Sequence, residues 1–185
     1  MGRIVVTEFV SLDGVMEDPG GAEDFKYGGW TFEISRGEEG DKFKLDETMS
    51  ADALLLGRKT YEGFAAAWPS REGEFADKFN NMPKYVLSST LDSPEWTNTT
   101  VLRSADEIRK LKDEKDEEMV VHGSAQLVQT LLEHDLVDEL RLMVFPVVLG
   151  RGKPLFGETS DKKPLHLSSS TVVGDGVAIQ IYTRP

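Results

Sequence analysis

Three short segments carry the residue types that could bind a phosphorylated ligand: Gly57-Arg-Lys-Thr60, Ser88-Ser-Thr90 and Gly123-Ser-Ala-Gln126. Each closes an apolar run, Ala53–Leu56, Tyr85–Leu87 and Met119–Val121 respectively. The first and third open helical patterns, and the first backbone N–H groups of a helix lack partners and attract anions. Arg58 and Lys59 would supply charge for a phosphate, and Ser88, Ser89 and Thr90 would supply hydroxyl donors. Gly57 and Gly123 would let a ligand approach the backbone closely. A dinucleotide with an extra ribose phosphate, NADPH, fits such a divided set of anion contacts. The competing reading is ordinary: Ser, Thr and Gly are also the usual residues of helix caps and turns. The GxGxxG fingerprint of Rossmann dehydrogenases is missing. No serine has the GxSxG setting of a hydrolase, and His122, His134 and His166 are too isolated to suggest a metal site.

The elements that must position these segments are legible from periodicity. Arg3–Val10 is rich in β-branched residues and reads as a buried first strand ending at Ser11-Leu-Asp-Gly14. Residues 17–29 form a glycine-rich loop with aromatics, a composition that either covers a ligand or packs on itself. A helix is expected over 41–49, a strand at 53–56, and a helix from Arg58 to Trp68-Pro69, where proline disfavours continuation. Residues 70–82 are a polar connection with room for a short helix. Strands follow at 85–90 and 99–102, then a charged helix at 105–117, a strand at 119–122 and a helix at 124–134. Val137–Val148 reads as a long strand in which Pro146 argues for an edge or a bulge. Leu165–Val173 and Val177–Tyr182 form a hairpin around Gly174-Asp-Gly176. Alternating strands and helices followed by antiparallel strands predict one α/β domain over residues 1–185. Its mixed, mostly parallel sheet would carry helices on both faces.

Composition narrows the partners. The net charge of −12, from 33 acidic and 21 basic residues, disfavours nucleic acid, whose backbone needs a positive surface. A small anion needs only a few local cations. The absence of cysteine excludes disulfides, Cys-based zinc sites and thiol nucleophiles. No apolar run approaches the roughly 20 residues that span a bilayer, and an acidic residue comes too early for a signal peptide. A cytoplasmic protein without membrane contact is expected.

Ser11-Leu-Asp-Gly14, Leu56-Gly-Arg-Lys-Thr-Tyr61, Val86-Leu-Ser-Ser89, His122-Gly-Ser-Ala-Gln-Leu127 and Pro146-Val-Val-Leu-Gly-Arg-Gly152 together resemble the dihydrofolate-reductase-like superfamily. Within it they are most similar to the riboflavin-biosynthesis reductase (RibD C-terminal) branch, and the likeness runs from about residue 3 to 182. The resemblance implies a three-layer dihydrofolate-reductase-like fold and an NADPH-dependent oxidoreductase. Its substrate would be a small heterocycle, a dihydropteridine or a ribosylamino-pyrimidine as in riboflavin biosynthesis, and it would be a homodimer. By position, Gly57, Arg58, Lys59 and Thr60 would face the adenosine 2′-phosphate and the pyrophosphate. Ser88, Ser89 and Thr90 would hold the ribose phosphate. Gly123, Ser124, Ala125 and Gln126 would take the pyrophosphate and nicotinamide ribose.

Two carboxylates are candidates for proton delivery, Asp41 at a helix start and Asp13 in the Ser-Leu-Asp-Gly turn. Each has an ordinary alternative as a cap or turn residue. Trp30, Phe64 and Trp68 would wall a flat heterocycle, and Phe145 with the glycine loop after it would close the site. Core packing is the alternative for these rings. His122 departs from the family pattern, which carries glycine there. A non-catalytic nucleotide- or pterin-binding protein on the same fold is the second functional reading.

Overall fold

A computed structural model describes all residues, 1–185. Eight strands form one sheet in the order β4-β3-β2-β5-β1-β6-β8-β7. These are β1 (Arg3–Ser11), β2 (Ala53–Gly57), β3 (Lys84–Leu87), β4 (Thr99–Leu102), β5 (Glu118–His122), β6 (Glu139–Phe145), β7 (His166–Val173) and β8 (Val177–Thr183). β4 through β6 pair in parallel, whereas β8 runs antiparallel to both β6 and β7. The expected mixed sheet with a C-terminal antiparallel hairpin is therefore what the chain adopts.

Five α-helices cover the sheet: α1 (Gly37–Ser50), α2 (Arg58–Ala67), α3 (Glu74–Asn81), α4 (Ala105–Glu114) and α5 (Ala125–Glu133). Strand alternation divides the core. Ile4, Val6 and Val10 pack with Ile108 of α4 and Leu127, Val128 and Leu131 of α5. Val5, Leu54 and Leu56 pack with Tyr61 of α2 and Phe79 of α3 on the other face. The helices thus lie on both faces, because side chains of a strand point alternately to each.

Three expectations change. β6 stops at Phe145, one residue before Pro146, and lies between β1 and β8 rather than at an edge. Proline here ends a central strand, where a missing N–H costs no ladder bond. The strand expected at 85–90 closes at Leu87, so the Ser88–Thr90 hydroxyls belong to the following turn. α1 begins at Gly37, and its buried residues are Gly40, Lys44, Glu47 and Thr48. Their spacing is helical, but the face is polar, so hydropathy alone does not reveal it.

Candidate active site

β2 and β5 are neighbours in the sheet, yet α2 leaves for one face and α5 for the other. A crevice opens outside the carboxyl ends of strands where successive helices diverge in this way. The two helix starts are tied together there. Gly57 N–H donates to Ser124 Oγ at 2.9 Å, and that hydroxyl donates to Thr60 Oγ1 at 2.8 Å. A Cβ on Gly57 would stand 3.1 Å from Ser124 Oγ, and one on Gly123 would stand 3.0 Å from Thr60 Oγ1. The two glycines are small because the turns press on each other.

Ser124 has the residue type of a helix cap, but its hydroxyl is committed to the other turn. Neither α2 nor α5 has a side-chain cap. Two adjacent helix starts consequently keep free N–H donors, an arrangement suited to an anion. Arg58 pairs with Glu62 at 3.0 Å, whereas Lys59 is exposed and makes no ion pair. Gln126 is exposed and Ala125 buried.

The third segment follows β3, which pairs directly with β2. Ser88 Oγ accepts the N–H groups of Thr90 and Leu91, at 3.2 and 3.0 Å, so this hydroxyl holds its own turn. Ser89 and Thr90 are exposed. Beside them is Arg103, a residue the sequence reading did not single out. Its guanidinium donates to the Ser88 carbonyl at 2.8 Å and to Asp92 at 3.2 Å. Arg103 follows β4, and only the pairing of β4 with β3 brings it to Ser88.

The larger omission is a buried polar cluster in the middle of the sheet. Thr7 of β1 stands in register with His122 of β5 and Arg141 of β6. α1 lays Lys44 and Glu47 over this row. Thr7 Oγ1 donates to Glu47 Oε1 at 3.0 Å and accepts from Lys44 Nζ at 3.1 Å. Lys44 also pairs with Glu47, and Arg141 approaches Glu47 Oε2 at 3.5 Å. Glu8 alternates to the opposite face, where its Oε2 accepts Gly123 N–H at 3.1 Å. Buried oxygens or nitrogens of Glu8, Glu47, Thr48 and His122 lack hydrogen-bond partners, a departure from normal satisfaction that marks polar sites.

Burial raises the Glu8 carboxyl well above the usual carboxylate range, with Lys44 drawing it partly back. Burial, aided by the Lys44 and Arg141 charges, holds His122 well below the usual imidazole range and hence neutral at pH 7. Its ring stands edge-on to Phe79 of α3, 5.5 Å between centroids. His122 therefore packs on the α3 side of the sheet instead of filling the turn after it.

The two expected catalytic carboxylates have other work. Asp13 accepts from Ser11 Oγ at 2.6 Å and from the N–H groups of Leu149 and Gly150 at 3.1 and 2.9 Å. These bonds, that of Ser11 first, lower its pKa to about 2, so it is an ionised staple between two loops. Asp41 is exposed and paired with Arg36 at 2.6 Å, outside the buried cluster.

The rings expected as substrate walls pack against other aromatics. Phe64 and Trp68 stack around Phe79 and Phe75 under α2 and α3. Trp30 and Phe145, both fully buried, meet edge-to-face at 5.5 Å in a separate cluster. Trp30 only edges a small cleft of about 290 Å³ against Val147–Leu149. Trp30 and Phe145 belong to the core, whereas Phe64 and Trp68 are half-buried against it, covering apolar area that would otherwise face water.

The Asp13 staple gives a pH-dependent prediction. A carboxylate with a lowered folded-state pKa contributes stability above its unfolded value of about 3.9, lost as pH falls towards about 2. Asp13→Asn is expected to melt below the wild type at neutral pH and to converge with it at acid pH. Parallel thermal melts check this, and a gap that persists in acid would remove the ionic role.

Residues 3–179 match the profile of the RibD C-terminal domain. The chain belongs to that family. Two uncharacterized Bacillus subtilis (strain 168) proteins are similar over nearly their whole lengths. YyaP is 29% identical over 97% of this chain and 94% of its own, and YwjB is 30% identical over 95% and 94%.

Among solved structures, a Shewanella sp. PV-4 protein assigned by name to riboflavin biosynthesis superposes with a TM-score of 0.78. It is 24% identical, with 99% of each chain covered. Dihydrofolate reductase from Enterococcus faecalis, complexed with NADP(H) and RAB-propyl, gives a TM-score of 0.60 at 18% identity over 98% of this chain and 96% of its own. A pyrimidine reductase-like protein from Corynebacterium diphtheriae gives 0.63 at 14% identity over 98% and 91%. At these identities the structures establish the dihydrofolate-reductase-like fold. No helix is long and apolar enough to cross a membrane.

Proposed function

We propose that this chain is an NADPH-dependent reductase that transfers a hydride to a small heterocycle of the dihydropteridine or ribosylamino-pyrimidine type. The observation that carries the reading is the pair of uncapped helix starts of α2 and α5, joined through Ser124 at the point where their helices diverge. Family membership and a fold shared with a reductase solved with NADP(H) support it. The free N–H groups at Lys59–Thr60 and Ser124–Gln126 suit a pyrophosphate. Lys59, with Arg58 and with Arg103 beside Ser88–Thr90, suits a ribose phosphate. When bound, NADPH supplies the hydride. The polar row of Thr7, His122 and Arg141 beneath Lys44 and Glu47 offers donors and acceptors for the edge of a heterocycle, and Glu8 holds a proton near the Gly123 turn.

The cofactor assignment has a direct test. Lys59→Ala is expected to weaken NADPH about tenfold while leaving NADH nearly unchanged, the loss expected for one charge-assisted hydrogen bond. Arg58→Ala should show the same preference more weakly, because Glu62 already engages Arg58. Fluorescence titration with both nucleotides measures it, and equal weakening of the two removes the 2′-phosphate role. NADPH oxidation with a panel of dihydropterins and amino-pyrimidines separates the enzyme from a non-catalytic nucleotide- or pterin-binding protein, which would bind without turnover.

A homodimer in the cytoplasm belongs to the same reading. The open edge at β7, with Leu165, Leu167 and Val172 exposed, offers a surface for a second copy.

A further inference from the structure

Glu8 is the most unusual group of the strand-end region. It is 5% exposed, its Oε2 accepts the N–H of Gly123, and its Oε1 is buried without a partner. The charged groups that act on it are Lys44 and Glu47, both of α1 and across the sheet from it. The first turn of α5, Ala125–Val128, contributes no charged side chain. Gly123 directly precedes the uncapped start of α5, so the Glu8 carboxyl and any anion on that start would be near neighbours. Two negative charges held close together repel each other. Burial already favours the protonated carboxyl.

We propose that Glu8 couples anion binding at the Gly123–Gln126 turn to a proton. An anion seats on the free N–H groups of Ser124–Gln126, beside the Gly123 N–H that Glu8 already accepts, while Glu8 carries a proton, and ionisation of Glu8 expels it. The proposal rests on the cofactor reading above and adds to it a regulatory consequence: NADPH binding takes up a proton whenever Glu8 is ionised in the free protein. Linkage requires the converse as well, that bound NADPH raises the pH at which Glu8 ionises. Glu8→Gln keeps an acceptor for Gly123 N–H without the charge.

Isothermal titration calorimetry with NADPH between about pH 7 and 9, above the second phosphate ionisation near 6, tests this. In wild type the affinity is expected to fall as Glu8 ionises, with a limiting slope of about tenfold per pH unit for one linked proton. Repeating the titration in two buffers of different ionisation enthalpy counts the proton directly and needs no variant. Glu8→Gln should bind with an affinity independent of pH and with no proton uptake. Equal slopes in the two proteins, or no proton uptake by wild type across the range, would overturn the proposal while leaving the cofactor reading intact. If NADPH binds neither protein at any pH, the cofactor reading fails. The same comparison is then made with ADP-ribose, whose pyrophosphate does not titrate in this range. A pH-independent ADP-ribose affinity in wild type, or no binding, overturns the proton link too.

Discussion

Replacing Lys44 by methionine is expected to destabilise the protein by about 3–5 kcal/mol, the usual cost of removing one partner of a buried ion pair. Lys44 and Glu47 side chains are 10% and 2% exposed. Without the ammonium, Glu47 keeps Thr7 Oγ1 and the more distant Arg141 at 3.5 Å. Neither repays the desolvation of a carboxylate held under α1. Lys44 also stands 4.9 Å from the centre of the Phe9 ring, but methionine retains much of that apolar contact, so the loss is chiefly electrostatic. Chemical denaturation of wild type and variant measures it.

The double variant Lys44→Met/Glu47→Gln should recover much of the stability, because it removes the orphaned charge together with its partner. A single variant within about 1 kcal/mol of wild type, a loss typical of exposed pairs, would show that the pair is solvated. If the cluster also contacts substrate, the double variant is expected to be folded but impaired in turnover. That outcome would separate the cluster's two roles.

The second large effect is expected at Gly174, where Gly174→Ala should cost about 2–4 kcal/mol, combining left-handed backbone strain with overpacking. Gly174 has φ +54°, and a Cβ there would stand 2.1 Å from the carbonyl oxygen of Ser35 and 2.5 Å from the carbonyl carbon of Arg36. Both are backbone atoms in the segment leading into α1, so no side chain can swing away. The turn is further pinned by Asp175 N–H donating to the same Ser35 oxygen at 2.8 Å. Gly150→Ala is the control, since Gly150 has φ +78° with nothing near its would-be Cβ. It carries the backbone strain without the collision. Equal losses from the two variants would show that the β7–β8 turn does not press on the start of α1.

These two positions show how legibility divides. Gly174-Asp-Gly176 announces a hairpin from composition alone, because tight turns need residues that accept positive φ. That the same glycine is the contact of the hairpin with residues 35–36 depends on β8 pairing with β6, and no local pattern encodes it. The α1 helix shows the opposite failure. Gly40, Lys44, Glu47 and Thr48 recur at the spacing of a buried face, yet Lys, Glu and Thr ordinarily face water. A polar stripe at i, i+4, i+7 and i+8 was the available signal, and hydrophobic periodicity is blind to it.

Alone, the sequence determined the order and type of the elements, the antiparallel close of the sheet and the three strand ends that carry glycine, hydroxyl and basic residues. Those follow from side-chain periodicity and turn chemistry, which act over a few residues. Tertiary structure decided which strand ends meet. Thr60 and Ser124, 64 residues apart, share a hydrogen bond, and Glu8 reaches Gly123 across 115 residues. It also committed Asp13 to a staple, left Asp41 exposed and set the aromatic rings in or against two cores. Burial, charge partners and unmet hydrogen bonds arise only when distant strands are brought into register, and these properties single out Glu8, Lys44, Glu47 and His122.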